Sequence, residues 1–170
     1  CLAGGWMDQP FLNTYEPGSV VTIQINPRND FINRAGLATS TRKTWEKLIS
    51  FNPKVADKSE LAKLLFGYEN LPGKKYISGS QDSIGLTHPG INRLDYDSGF
   101  WPTKIKTCLD DDICKWLEEN IRMVKIGSRA DGYDPLLQQN ITREKVQKLS
   151  MIGGLCYDAI MRKDIRALGK

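Results

Sequence analysis

Residues 77–85 read ISGSQDSIG, and how this stretch is taken decides how the rest of the chain is arranged. Glycines and serines around a single carboxylate make a poor helix and a poor strand, so the segment is expected to be a tight loop that presents Asp82. A short helix capped by Asp82 or Ser83 is the alternative that these residues leave open. Before the stretch, residues 58–68 place Leu61, Leu64, Leu65 and Tyr68 on one helical stripe, closed by Glu69, Asn70, Pro72 and Gly73. After it, residues 92–96 alternate, Asp97, Ser98 and Gly99 turn, and residues 100–105 return. That is a β-hairpin with Trp101 and Pro102 near an edge.

Further out, Val21, Ile23 and Ile25 alternate with Val20, Thr22 and Gln24, which predicts a strand over 19–25. Trp45, Leu48 and Ile49 share a face at helical spacing, and Asn52 and Pro53 end that helix. Asp110, Asp111 and Asp112 belong electrostatically to the first turn of a short helix ending near Glu119 rather than to a metal cluster. A strand is expected over 121–126, then a loop over 127–133 carrying Arg129 and Asp131. Thr142 caps a long helix with Leu149, Ile152, Cys156, Ala159 and Ile160 at helical spacing, and the Gly153–Gly154 pair inside it implies close packing against a neighbour. A last segment opens at Lys163 and Asp164.

The bulk numbers bound the class. A chain of 170 residues with 40% hydrophobic and 26% charged content suits a globular protein with one well-buried domain, or one and part of another. The net charge of +4 is too weak and too scattered to argue for nucleic acid, though it suits anionic ligands. Cys1, Cys108, Cys114 and Cys156 form no C-x-x-C pair and His88 is the one histidine, so neither structural zinc nor a disulfide framework is expected. Reduced, mostly buried thiols in a cytoplasmic protein are. No apolar run approaches the ~20 residues of a membrane span, so no membrane partner is expected. Both ends are expected to be cuts through a longer chain.

Two more stretches carry chemistry. In residues 1–10, CLAGGWMDQP, a Gly4–Gly5 break lets backbone approach a ligand, while Trp6 and Asp8 offer an apolar wall and an acceptor for hydroxyls. A plain turn around a half-buried Trp fits the same residues. In residues 34–42, RAGLATSTR, small and hydroxylated residues stand ahead of a helix, where unpaired N–H groups and the positive dipole end attract anions. An ordinary Ser/Thr cap again fits as well. G-x-x-x-x-G-K-[ST] is absent. Glu69 sits at a helix C-terminus, where the dipole disfavours a carboxylate; a cation would compensate, and full exposure would equally remove the cost.

In this order the three stretches resemble the GHMP kinase superfamily, in particular its sugar-kinase branch. LAGGWMDQP at 2–10 followed by PGSVVTIQI at 17–25 looks like that branch's first motif, approximately F-A-G-G-x-T-D-x-P and then G-x-V-V. GLATST at 36–41 looks like the phosphate loop G-L-G-S-S-S/A, and residues 69–82 are similar to the segment that holds a metal-binding Glu and the catalytic Asp of G-x-x-D-Q. The resemblance implies a ribosomal-protein-S5-domain-2-like N-terminal domain over 1–107 and part of an α+β C-terminal domain over 108–170. It implies ATP and Mg²⁺ as cofactors and a sugar or sugar phosphate as acceptor, with Gly36, Leu37, Ala38, Thr39, Ser40 and Thr41 around the triphosphate and Ser40 and Glu69 on the metal. Asp82 would orient or deprotonate the acceptor hydroxyl, and Gly5, Trp6, Asp8, Gly79 and Gln81 would bind the acceptor. Phosphoryl transfer needs charge neutralisation and in-line positioning more than covalent help, so a helix terminus, a metal and one carboxylate form a sufficient set. The chain departs from the pattern at Ala38, where Gly is usual, at Arg42, where a small residue is common, and at Ser83, where Gln often stands. The C-terminal G-A-G-G-G motif is absent, which is expected of a fragment. A non-catalytic sugar- or nucleotide-binding relative, and an unrelated α+β domain, are the competing expectations.

Overall fold

In the computed structural model, residues 1–25, 38–49, 57–124 and 140–170 are described, Ile49 by its backbone alone. Three strands form one antiparallel sheet in the order β1 (Gly18–Ile23), β2 (Ile91–Tyr96), β3 (Lys104–Cys108). The register sets Val20 opposite Leu94 and Leu94 opposite Ile105. Among the described residues there are seven helices: α1 (Pro10–Asn13), α2 (Thr39–Ile49), α3 (Lys58–Glu69), α4 (Gln81–Thr87), α5 (Asp111–Asn120), α6 (Arg143–Met161) and α7 (Ile165–Leu168). The fold is α+β.

Successive β1 residues point to opposite faces, and both faces are buried. Val20 joins Met7, Leu12, Ala62, Ile84, Leu94, Tyr96 and Val146 in one apolar cluster. Val21 joins Ile91, Leu117 and Ile160 in the other. Residues 2 and 3 bridge to β1, with Leu2 N donating to the Val21 carbonyl and Val21 N to the Ala3 carbonyl. Helix α6 supplies Val146 to one cluster and Ile160 to the other, and a Cβ placed on Gly153 would lie 1.9 Å from the Ser19 carbonyl oxygen. The close packing expected at this glycine is therefore present, and α6 covers the outer edge of β1, where an uncovered strand invites foreign pairing.

Several local expectations need correction. Residues 81–87 form α4, so Asp82 stands in the first turn of a helix and not on a loop, with Ser80 at the N-cap. Poor propensity is outweighed by tertiary burial, since Ile84 and Ser83 are fully buried, and the Ser83 and Thr87 hydroxyls satisfy themselves locally on the carbonyls of Ser80 and of Ser83 and Ile84. Helix α3 turns Ala62, Leu65 and Glu69 inward, while Leu64 and Tyr68 of the expected stripe are exposed. On α6 the inner face holds Val146, Ser150, Gly153, Ala159 and Ile160, whereas Ile152 is exposed. The returning strand starts at Lys104 rather than residue 100 because Pro102 is buried and lacks an N–H for the ladder. Residues 121–124 lie outside any strand. Cys1 is exposed and Cys108, Cys114 and Cys156 are only half-buried; all four are free thiols. The expected start of α6 behind Thr142 holds, its side chain accepting the Lys145 N–H, and the acidic opening turn expected of the short helix is present in α5, with Asp111 and Asp112 in the turn and Asp110 one residue earlier as the N-cap, accepting the Ile113 N–H. The helix end at Asn52 and Pro53, residues 125–126 of the expected strand and the loop over 127–133 lie outside the described residues.

Candidate functional site

A cleft of about 220 Å³ is lined by residues from every stretch the sequence singled out: Trp6, Asp8 and Gln9; Ser40 and Thr41; Glu69; Tyr76, Ile77, Ser78 and Gly79; Gln81 and Asp82. These segments are far apart in the chain, and the sheet, α2, α3 and α4 carry them together. Gly5 lies beside the cleft-lining Trp6 without itself lining it, and Thr39 opens α2 one residue before Ser40. Ala38 precedes α2 with φ +52°, a left-handed conformation that L residues rarely hold. Gly36 and Leu37 lie outside the described residues.

The joint between α2 and α3 is a buried pair. The Thr41 hydroxyl donates to Glu69 Oε1 at 2.7 Å, and both residues are almost fully buried. Burial raises the Glu69 carboxyl above its ordinary range; the Thr41 hydroxyl opposes this, the nearby Asp82 charge adds to it, and Lys74 opposes it. The Lys74 ammonium also donates to the Glu69 backbone carbonyl, which supplies positive charge to the C-terminus of α3 as the dipole favours. Ser40, by contrast, is exposed at the cleft.

Residues 71–78 are exposed and arch between α3 and α4, pinned at their base by one side chain. Asn70 Nδ2 donates to the Ser78 carbonyl at 3.1 Å, and Ser78 N donates to Asn70 Oδ1 at 2.8 Å. Tyr76 and Ile77 on this arch give the cleft an apolar rim that the sequence reading missed, together with Gln9 and Ser78. An apolar pair in an otherwise polar run just before Gly79 was the signal available. Trp6, which also lines the cleft, holds φ +81° and meets the Phe11 ring edge-on at 6.1 Å. A bulky residue held there stores strain, and such strain concentrates at functional sites.

Beneath the arch the chain is locked. Ser80 Oγ donates to the Phe100 carbonyl at 2.5 Å, which uses its one proton, so the Tyr96 hydroxyl, 2.9 Å away, is the donor to Ser80. Asn13 Nδ2 donates to the carbonyls of Met7 and Gly99, and Gly99 N returns a bond to Asn13 Oδ1. Asp8 is 3% exposed, and its Oδ2 accepts the Gln81 backbone N–H at 3.2 Å. Burial, helped by the Asp82 charge, pushes the Asp8 carboxyl up to about 6, against the lowering effect of the Gln81 bond. Gln81 Oε1 is buried and without a hydrogen-bond partner among the described residues.

His88 caps the C-terminus of α4. It is buried between Thr87 Oγ1, 3.0 Å from Nδ1, and Ser59 Oγ, 3.4 Å from Nε2, and burial lowers its pKa. It lies outside the cleft lining. Among the described residues no group of three or more His, Cys, Asp or Glu side chains is arranged to hold a metal ion, and no helix is long and apolar enough to cross a membrane. No protein-family model, no curated protein and no solved structure matches the chain.

Proposed function

We propose that this cleft is the phosphoryl-transfer site of an ATP-dependent small-molecule kinase acting on a hydroxyl of a sugar or sugar phosphate. The observation that carries the reading is convergence: a helix N-terminus with hydroxyls at Ser40 and Thr41, the carboxylate of Glu69 and the carboxylate of Asp82 line one cavity. Those are the parts that phosphoryl transfer requires, and they occupy the positions in which the chain resembles the GHMP kinases. The reading includes that family's two-domain division near residue 107 and a cytoplasmic setting.

The donor set also suits the expected metal. Mg²⁺ takes hard oxygen ligands, keeps several waters and is held by one or two carboxylates plus substrate phosphates, so Glu69 with Ser40 is an appropriate pair without a protein-only triad. When bound, Mg²⁺ neutralises charge on the transferring phosphoryl group. The chain's own residues do the rest. The α2 N-terminus faces the triphosphate, and Asp82 orients the acceptor hydroxyl and takes its proton. Trp6, Tyr76 and Ile77 cover the carbon face of the acceptor, and Gln81, which lines the same cavity, turns its side-chain amide toward the acceptor's hydroxyls.

The test is ADP release from MgATP across a panel of hexoses, heptoses and their phosphates, with Asp82→Asn as the comparison. Turnover in the parent should fall by three orders of magnitude or so in the variant, in line with loss of a charge-positioning catalytic group, while nucleotide affinity holds. Equal turnover in both proteins sinks the assignment. A non-catalytic binder is the second reading, and the 2.7 Å Thr41–Glu69 bond favours it because it already occupies a carboxylate oxygen. Calorimetric binding of MgATP with no ADP release across the panel would select that reading.

A further inference from the structure

We propose that Asp8 is a positioning residue: its buried carboxylate, seated on the bare backbone of Gly79 and holding the Gln81 N–H, fixes the entry to α4 and thereby the aim of Asp82. The inference takes its catalytic meaning from the kinase reading; its structural half does not depend on that reading.

Three observations carry it. First, Asp8 is 3% exposed, so an acceptor in the cleft reaches little of it, and the role of direct hydroxyl binder expected from the sequence gives way to an inward one. Second, a Cβ on Gly79 would stand 1.8 Å from Asp8 Oδ2 and 2.1 Å from its Cγ. The carboxylate thus fills the space that any side chain at 79 would need, and the glycine is there to let it approach. Third, Asp8 Oδ2 accepts from Gln81 N, one residue before Asp82, in the turn whose other side is tied by Ser80 to Tyr96 and Phe100. Residues 79–81 are gripped from both sides, and the Asp8 side is the one that can change charge.

The groups facing Asp8 define that change. Asp82 on α4 opposes its ionisation, the terminal amine at Cys1 favours it, and the Tyr96 phenol on β2 feels the Asp8 charge in turn. Ionised, Asp8 is a pure acceptor for Gln81. Protonated, it is a weaker acceptor and carries an O–H that needs a partner. The grip on the turn is therefore tighter at neutral pH than in mild acid.

The deciding measurement is the backbone amide proton of Gln81, followed by NMR from pH 4.5 to 8 in the full chain. It should titrate with a midpoint near 6 and become flat in Asp8→Asn, whose side-chain oxygen still accepts the bond. A Gln81 amide that stays flat over this range in the parent overturns the proposal, and no variant needs to fold for that result. In ADP release from MgATP with aldohexoses as acceptor probes, Asp8→Ala should lower kcat by about tenfold or more with little change in KM, as expected of lost orientation, and Asp8→Asn should recover most of it. A change confined to KM would make Asp8 an acceptor-binding group and overturn the positioning role. If the parent releases no ADP with any probe while the Gln81 amide titrates as described, the kinase reading falls and the anchoring of the turn stands.

Discussion

Ala38 holds φ +52° at the entry to α2, at the position where the resemblance led one to expect glycine. An L residue in the left-handed region costs roughly 1–2 kcal/mol, and glycine there costs unfolded-state entropy of roughly 0.5–1 kcal/mol instead. Ala38→Gly should therefore raise stability by about 0.5 kcal/mol, and Ala38→Val, β-branched at the same angle, should lower it by about 1–2 kcal/mol. Urea midpoints at constant slope read both signs; a loss in the glycine variant would show that the angle carries no strain. Asp8 gives a second prediction, with pH as the variable. Its carboxyl is raised from 3.8 to about 6, so the native state binds that proton more tightly than the unfolded chain. The contribution is fully present below about pH 4 and is lost as pH rises through about 6. Above that, the buried charge costs about 3 kcal/mol by the usual conversion. Asp8→Asn removes the charge while keeping an acceptor for Gln81, so its stability gain over the parent should be largest near pH 7.5 and vanish near pH 4. A pH-independent difference would place the cost elsewhere.

Two adjacent glycines on α6 separate helix propensity from packing. Each costs about 1 kcal/mol relative to alanine in a helix interior. A Cβ on Gly153 would sit 1.9 Å from the Ser19 carbonyl oxygen, whereas one on Gly154 meets nothing closer than Arg93 Nη1 at 3.6 Å. Backbone cannot step aside, so Gly153→Ala should push α6 off the edge of β1 and cost about 1–3 kcal/mol net. Gly154→Ala should gain up to about 1 kcal/mol. Thermal unfolding of the two variants should move in opposite directions; a common direction would remove α6 from its place on Ser19. The same pair marks what was legible in the chain. Elements with strong charge, cap or alternation signals, such as α5 with its acidic first turn, α6 behind Thr142 and β1, could be read because local signals and tertiary demand agree. Helix α4 could not, since its residues favour a turn and it is the burial of Ser83 and Ile84 against the rest of the molecule that holds them in a helix. The inward face of α3 was misjudged for a related reason. Glu69 is buried there by its bond to Thr41 on another helix, and apolar periodicity has no means of signalling a polar residue held by a distant partner. The site residues were legible by type, while Tyr76 and Ile77 became part of the rim only through the Asn70–Ser78 clasp that folds the arch over the cleft.

For the molecule as a whole, the chain carries a net charge of +4, yet its cleft gathers three carboxylates, Asp8, Glu69 and Asp82, and the Asp82 charge opposes ionisation of both of the others. A bare nucleotide triphosphate would meet like charge there, whereas a magnesium nucleotide would bring its own neutralising ion. Nucleotide binding by the full chain should therefore depend on Mg²⁺ and be abolished by EDTA. The convergence of segments adds a spatial expectation. Ligand filling one cleft stabilises every element that lines it, by about 2.7 kcal/mol at a concentration of 100 times Kd. That corresponds to roughly a hundredfold slower exchange for amides released by opening those elements. With MgATP, amide hydrogen exchange should slow together in the first turn of α2, at the end of α3 around Glu69, and across residues 76–82, although these segments are remote from one another in the chain. Protection confined to α2 would describe a phosphate-binding helix end with an independent neighbour. Protection of all three segments by ATP in EDTA would contradict the part assigned to the carboxylates, because their charge should repel a triphosphate that brings no cation with it.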